Sequence, residues 1–159
     1  MEIVTKIQDI LKQNNLTITC AESCTGGLIA SEITSISGSS SIFRGSIVTY
    51  CNEIKEQELD VKKETMIKYG VVSCEVVEQM LDGVLSKFDA SIAIAVSGVA
   101  GPNGGTKDKP VGTVVIGVKG IKGIQNIKVY HFKGSRIKVQ QQSKDMAFRV
   151  VYDELLKKF

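Results

Sequence analysis

Apolar residues recur along much of the chain at the spacing of one helical face. In residues 2–13 isoleucine and leucine return every three or four positions, and residues 73–88 and 137–156 repeat this spacing. Ser73 precedes the second of these stretches and is a residue type suited to cap a helix. The pattern therefore predicts amphipathic helices near both ends of the chain and one in its middle.

Other segments alternate between apolar and polar residues or are apolar throughout, which is typical of strands. They are residues 16–20, 45–50, 91–96, 111–119 and 127–132. Residues 91–96 are apolar on both alternating faces, which predicts a central strand covered by helices on each side. The short segment 120–123 joins the last two strands and predicts an antiparallel hairpin. Further short helices are predicted after residue 27, at 54–59 and at 63–69.

These elements predict one α/β domain over residues 1–159, with a mixed parallel and antiparallel sheet and helices on both faces. A chain of 159 residues with 43% apolar content is long enough to bury its own core. It has no apolar run of about 20 residues and no secretory signal pattern, which favours a cytoplasmic protein without a membrane span. The net charge of +3 comes from dispersed lysines, so nucleic-acid binding is not expected.

Four cysteines and one histidine limit the chemistry further. The cysteines are Cys20, Cys24, Cys51 and Cys74. Their spacing is too irregular for a disulfide framework, and His131 does not complete a plausible zinc set with them. We expect reduced thiols, no metal site and no cofactor.

The segment 21–27 places a hydroxyl and a thiol at a predicted strand-to-helix turn. Ser23 and Cys24 are both candidate nucleophiles, and backbone N–H groups of such a turn can stabilise an oxyanion. A serine needs a base to accept its proton. On the residues alone the choice between the serine and the thiol stays open.

Lys55 and Tyr50 are the best candidates to supply that base. His131 lies on a hairpin strand, which makes a serine–histidine set a weak alternative. Lys55 follows the strand 45–50 by five residues, and a lysine acts as a base when burial keeps part of it neutral. Tyr50 supplies a phenol able to relay or orient the proton. An exposed helical lysine is the competing interpretation.

A glycine-rich loop over residues 98–105 could hold an anion with successive N–H groups. It lacks the Gly-Lys-Ser/Thr ending and the glycine spacing of a P-loop, so hydrolysis of a nucleoside triphosphate is not indicated. A long turn between two strands explains the same residues equally well.

Several motifs occur together in a fixed order: residues 21–27, 38–40, 44–55, 70–73, 97–106 and 109–114. In this order they resemble the CinA C-terminal domain family of nicotinamide-nucleotide amidases, and the resemblance covers nearly the whole chain. It implies deamidation of nicotinamide mononucleotide to nicotinate mononucleotide and ammonia, without a metal, by a homo-oligomer.

The resemblance also implies roles for single residues. Ser23 is the expected nucleophile, Lys55 the base and Tyr50 its helper, with the oxyanion held near Thr25 and Gly26. On physical grounds, because an anion is bound by N–H groups and by a guanidinium, the glycine loop and an arginine are candidates for binding the phosphate or ribose of the substrate, although Arg44 could equally be an ion-paired scaffold residue. Those candidates are Arg44, Gly101, Gly104, Gly105 and Thr106.

The chain departs from the family pattern at Ser135 and Gln140, where an aspartate and an arginine are common, and at Asn103, where an aspartate is common. None of these changes touches the three expected catalytic residues. They place substrate affinity or subunit contacts in more doubt than the chemistry. Two other functions stay open: a non-catalytic nucleotide-binding or regulatory module, and an amidase for another small carboxamide.

Overall fold

Helices and strands alternate along the chain, and a computed structural model describes residues 2–159. The strands are β1 (Ile18–Glu22), β2 (Phe43–Val48), β3 (Ile92–Gly98), β4 (Thr113–Gly120) and β5 (Gln125–His131). The α-helices are α1 (Glu2–Gln13), α2 (Leu28–Thr34), α3 (Asn52–Leu59), α4 (Lys63–Tyr69), α5 (Cys74–Phe88) and α6 (Arg136–Lys158). The loop predicted at 38–41 contains a 3-10 turn, Ser39–Ser41. Ser73 caps α5 as predicted, because its side chain accepts a hydrogen bond from the Val76 amide.

The five strands form one mixed sheet in the order β2–β1–β3–β4–β5. β1 lies between β2 and β3 and is parallel to both. β4 is antiparallel to β3, and β5 is antiparallel to β4. The predicted mixed sheet and C-terminal hairpin are therefore confirmed.

Alternating side chains of the central strand belong to two separate cores. Ile92, Ile94 and Val96 pack with α1, α2 and α6 on one face of the sheet. Ala93 and Ala95 pack with α3, α4 and α5 on the other face. Because both faces are covered by helices, no residue of β1 is exposed and β3 is buried up to its last residue.

The carboxyl ends of β1, β2 and β3 meet at one edge of the sheet because these strands are parallel. The chain passes from β1 to β2 on one side and later returns to β3 on the other side of β1. Ligands of open α/β sheets bind in the crevice at such a reversal of strand order. The fold thus directs attention to the three segments that follow these strands.

Two strand boundaries differ from the sequence prediction in a way that matters for this edge. β1 runs from Ile18 to Glu22 rather than over 16–20, so Ser23 follows the strand directly. β2 ends at Val48 rather than at residue 50, so Tyr50 lies outside the strand. A glutamate is uncommon in strands, so the sequence did not predict that β1 extends to Glu22. Glu22 can be buried there because three backbone amides donate hydrogen bonds to its carboxylate.

Within residues 2–159, no helix is both long enough and apolar enough to cross a membrane. All four cysteines are free thiols.

Candidate active site

Ser23 lies in a tight turn between β1 and α2. Its amide donates to Val96 O at 3.1 Å, which ties the turn to the neighbouring strand β3. Gly26 and Gly27 have φ values of 59° and 104°, a region in which a side chain would be strained. The two glycines therefore allow the chain to turn from β1 into α2 directly behind the serine.

The buried carboxylate of Glu22 holds this turn in place. Oε1 accepts from the Gly27 amide at 3.2 Å and from the Ile29 amide at 3.0 Å, and Oε2 accepts from the Ala30 amide at 3.0 Å. These donors belong to the first turn of α2, where amides lack partners within the helix and an anion is favoured. Glu22 thus fixes the start of α2 relative to Ser23.

We expect Glu22→Ala to lower the free energy of unfolding by about 3 kcal/mol or more, because an unsatisfied buried donor costs roughly 1–3 kcal/mol and three amides lose their acceptor. Chemical denaturation measures this loss. Glu22→Gln keeps one acceptor oxygen and should lose clearly less. Equal stability of the two variants would contradict the capping role.

Lys55 lies on α3, on the face that packs against the rest of the domain, and is only 1% exposed. Its Nζ donates to Thr49 O at 2.7 Å and to Ser23 Oγ at 3.2 Å. α3 reaches this depth because it packs against α5 at Gly83, where a Cβ atom would lie 2.1 Å from Leu59 O. The structure thus brings together the serine and the lysine that the sequence separates by 32 residues.

Burial lowers the pKa of Lys55 below its ordinary value, because removing the ammonium from water disfavours the charged form. Neither hydrogen-bond partner of Nζ is a carboxylate that would offset this effect. At a given pH, the neutral amine form is therefore more populated for Lys55 than for an exposed lysine. A neutral Nζ at this distance can accept the proton of Ser23 Oγ.

Cys24 is a weaker candidate nucleophile than Ser23 in this environment. Its side chain is 4% exposed, and burial raises the pKa of the thiol to about 12. The thiolate is the nucleophilic form of cysteine and is therefore scarce at neutral pH. Ser23 has the amine contact that activates a hydroxyl, so the geometry favours the serine.

Tyr50 and Arg136 meet at the rim of the site. Arg136 Nη2 donates to the Tyr50 hydroxyl, and Nη1 donates to Gly101 O at 2.7 Å. Tyr50 is 59% exposed, and among the described residues no hydrogen bond joins its hydroxyl to Lys55 or Ser23. The structure places Tyr50 at the site, but in contact with the arginine rather than with the expected base.

A cavity of 290 Å³ opens beside Ser23 and Lys55, at the low end of the range for small-molecule sites. Val71, Val72 and Val99 form an apolar part of its wall. Among the described residues, the side chains that line it include the guanidinium of Arg136 and no carboxylate. The cavity therefore suits a small ligand with an anionic group.

The predicted binding residues divide between the cavity and its surroundings. Gly101 and Gly104 line the cavity, together with Asn103, whereas Gly105 and Thr106 are not among its lining residues. Arg44 lies at the opposite end of β2, and its Nε donates to Phe88 O at 3.0 Å. Arg44 is thus a scaffold residue here, and Arg136 is the guanidinium at the site.

The turn leaves two amides as candidate oxyanion donors. The Gly26 amide donates to Ser23 O at 3.1 Å, and the Gly27 amide donates to Glu22. Among the described residues, the amides of Cys24 and Thr25 donate no backbone hydrogen bond. The amides of Cys24, which lines the cavity, and of Thr25 beside it are therefore the candidate donors, whereas the amide of Gly26, which was predicted as a donor, is engaged within the turn.

Three residues were not assigned to the site from the sequence: Glu22, Arg136 and Gln140. One signal was available for Arg136, because a cation in the first turn of a helix opposes the helix dipole and needs another reason. Ser135, one of the departures from the family pattern, caps α6 by accepting from the Lys138 amide, as an aspartate would. Gln140 Nε2 donates to Cys24 O at 2.9 Å.

The fold and the cavity define an α/β domain with a buried serine–lysine pair at the carboxyl ends of parallel strands. The chain belongs to the CinA family, since the model of the CinA C-terminal domain matches residues 1–155. A CinA-like protein of Fervidobacterium nodosum is 44% identical over 95% of this chain. A putative competence-damage inducible protein of Halothermothrix orenii is 44% identical over 92% of it. The chain spans about a third of the length of these relatives, 37% and 36% respectively.

Solved structures of the family share the fold over nearly the whole chain. A CinA superfamily protein of Klebsiella pneumoniae has a TM-score of 0.93 at 31% identity, covering 98% of this chain and 97% of that one. A competence/damage inducible protein of Agrobacterium tumefaciens has a TM-score of 0.93 at 34% identity, covering 96% and 93%. The names of these relatives do not state a reaction.

Proposed function

We propose that this domain is an amidohydrolase that converts nicotinamide mononucleotide to nicotinate mononucleotide and ammonia through a serine acyl-enzyme. The observation that carries the proposal is the contact of 3.2 Å between Lys55 Nζ and Ser23 Oγ in a buried site. A fully buried lysine without a carboxylate partner costs stability, which argues for a functional reason to keep it. The choice of substrate rests on the resemblance of the sequence motifs to the amidase family.

In the first half of the reaction, Ser23 Oγ attacks the carboxamide carbon while its proton passes to Lys55 Nζ. The amides of Cys24 and Thr25 stabilise the negative oxygen of the tetrahedral intermediate. The Lys55 ammonium then protonates the leaving nitrogen, the C–N bond breaks, and ammonia departs. The product of this half is an ester between the nicotinoyl group and Ser23.

In the second half, water attacks the ester carbon and gives a proton to the neutral Lys55. Collapse of the second tetrahedral intermediate breaks the bond to Ser23, and Lys55 returns the proton to Oγ. The carboxylic acid product loses its proton to solvent and leaves as nicotinate mononucleotide, and the enzyme has its original protonation. Lys55 therefore carries one proton in each half-reaction.

The cavity offers separate environments for the two ends of the substrate. The valine wall suits the pyridine ring near Ser23, and Arg136 suits the phosphate, because a guanidinium binds phosphate oxygens in a bidentate manner. Gly101 and Gly104 add backbone groups beside the arginine. Tyr50 contributes by holding the guanidinium in place.

The direct test is to incubate the purified domain with nicotinamide mononucleotide and to measure ammonia and nicotinate mononucleotide. We expect equal amounts of both products. Binding without product would favour a regulatory or nucleotide-binding module instead. Turnover of free nicotinamide or other carboxamides in preference to the mononucleotide would indicate an amidase of different specificity.

Arg136→Ala is expected to raise KM for nicotinamide mononucleotide by about 10-fold or more, since a charge-assisted hydrogen bond contributes roughly 1.5–3 kcal/mol. The effect on kcat should be smaller. Nicotinamide riboside, which lacks the phosphate, should be much less sensitive to the change. Steady-state kinetics on both substrates measure this difference.

Arg149→Ala is the matched control, because Arg149 lies on the same helix but does not line this cavity. It should leave KM unchanged. An equal rise of KM for the mononucleotide and the riboside in Arg136→Ala would contradict phosphate binding by this residue.

A further inference from the structure

Gln140 connects α6 to the turn that carries the nucleophile. Its Nε2 donates to Cys24 O at 2.9 Å, across 116 positions of sequence. It lies four residues after Arg136, so both side chains project from one face of the first turns of α6. Within the described residues this is the hydrogen bond through which a side chain of α6 holds the turn.

The acceptor of this bond has a defined relation to the oxyanion donors. Cys24 C=O and Thr25 N–H belong to the same planar peptide group and point in opposite directions. A donor on the oxygen therefore fixes the direction of the N–H. It also polarises the group, because hydrogen bonds in a chain strengthen one another.

The other amides of the turn are fixed by different partners. Gly26 donates to Ser23 O, Gly27 donates to Glu22, and Leu28 donates to Thr25 O. None of these bonds involves the oxygen of Cys24. Among the described residues, Gln140 supplies the side-chain hydrogen bond to the oxygen of the Cys24–Thr25 peptide.

We propose that Gln140 is a positioning residue for catalysis, which orients and polarises the Cys24–Thr25 peptide so that the Thr25 N–H binds the oxyanion formed by attack of Ser23. The proposal rests on the serine mechanism given above. It assigns Gln140 no contact with the substrate. Its effect should therefore appear in the rate of the chemical step and not in substrate affinity.

The test compares Gln140→Met, which has a similar length and no donor, with Gln140→Arg, which restores N–H donors. Loss of a direct oxyanion donor costs about 10²–10³ in kcat, so loss of the group that orients one should cost about 10-fold. We expect this decrease in kcat for nicotinamide mononucleotide with nearly unchanged KM and an unchanged pH profile. Gln140→Arg should recover most of the rate.

Gln142→Met is the matched control, because Gln142 makes the same kind of bond on the same helix, to Lys133 O and Lys138 O, away from the turn. It should keep the full rate. A thermal melt of each variant separates a general loss of fold from a local effect on catalysis.

A second readout does not depend on the identity of the substrate. A fluorophosphonate probe reacts with an activated serine and places negative charge on an oxygen in the same site. Labelling of Ser23 should be about 10-fold slower in Gln140→Met than in the parent protein, in line with the kcat effect. If the parent protein does not turn over nicotinamide mononucleotide, the proposed substrate is wrong while the labelling rates still decide the role of Gln140.

Three outcomes would overturn the inference. The first is an unchanged kcat and labelling rate in Gln140→Met. The second is a rise in KM with unchanged kcat, which indicates a binding role. The third is a parent protein whose Ser23 does not react with the probe, which would remove the serine mechanism as well.

Discussion

Replacement of Ser23 by alanine is expected to lower the rate of ammonia release from nicotinamide mononucleotide by at least about 10³-fold, because the acyl-enzyme cannot form without its nucleophile. The variant should stay folded. Ser23 is 9% exposed, and its Oγ interacts with Lys55, so the substitution removes one hydrogen bond to a buried amine rather than a packed side chain. Single-turnover measurement with a mass-spectrometric search for the acyl-enzyme gives the most direct comparison.

Two further variants make this result specific. Ser86→Ala removes an exposed serine on α5 and should leave the rate unchanged. Cys24→Ala removes the neighbouring thiol, whose raised pKa keeps it protonated, and should keep most of the activity. Full activity in Ser23→Ala combined with an inactive Cys24→Ala would transfer the role of nucleophile to the cysteine.

The helices and the sheet could be predicted from the sequence because their apolar patterns are long and regular. The pairing of Ser23 with Lys55 was also expected from the family motifs, and a simple rule of topology explains it. Segments that follow neighbouring parallel strands meet at one edge of the sheet, so residues 32 positions apart can touch. The sequence motifs and this rule are therefore sufficient to place Ser23 and Lys55 at one site.

The positions of Arg136, Gln140 and Glu22 depend on tertiary packing, which no local sequence pattern predicts. α6 begins beside the cavity because its apolar face packs against α1 and the sheet, and this brings Arg136 and Gln140 to the site from the far end of the chain. Arg44 has the right chemistry but lies at the opposite end of its strand. Glu22 is polar in the sequence, and its burial follows only from three amides that converge on it.

Lys55→Met is expected to abolish turnover and at the same time to stabilise the protein at neutral pH. Burial makes the ammonium unfavourable in the folded state, whereas methionine has a similar length and no charge. The gain is offset in part by the hydrogen bond that Thr49 O loses. A net gain of about 1 kcal/mol corresponds to a rise in Tm of roughly 2–4 °C for a domain of this size. Lys6→Met, which removes an exposed lysine, should change Tm little.

The pH dependence of folding stability tests independently whether Lys55 destabilises the folded protein. The pKa of Lys55 is lower in the folded state than in the unfolded state, so between the two values the unfolded chain binds more protons. This group therefore makes the parent protein more stable as pH rises through that window, and the full penalty is present below it. The advantage of Lys55→Met should be largest below this window and should shrink as pH rises towards the ordinary pKa of lysine.

The same lowered pKa of Lys55 predicts the rate profile of the parent protein. The neutral amine is the base, so kcat/KM should rise with pH and level off below the pH at which an ordinary lysine titrates. Thermal melts and rate profiles over the same pH range test both statements on one group. A rate that is flat with pH, together with a Lys55→Met variant that is less stable at neutral pH, would show that Lys55 is charged in the folded protein and serves as a structural cation rather than as the base.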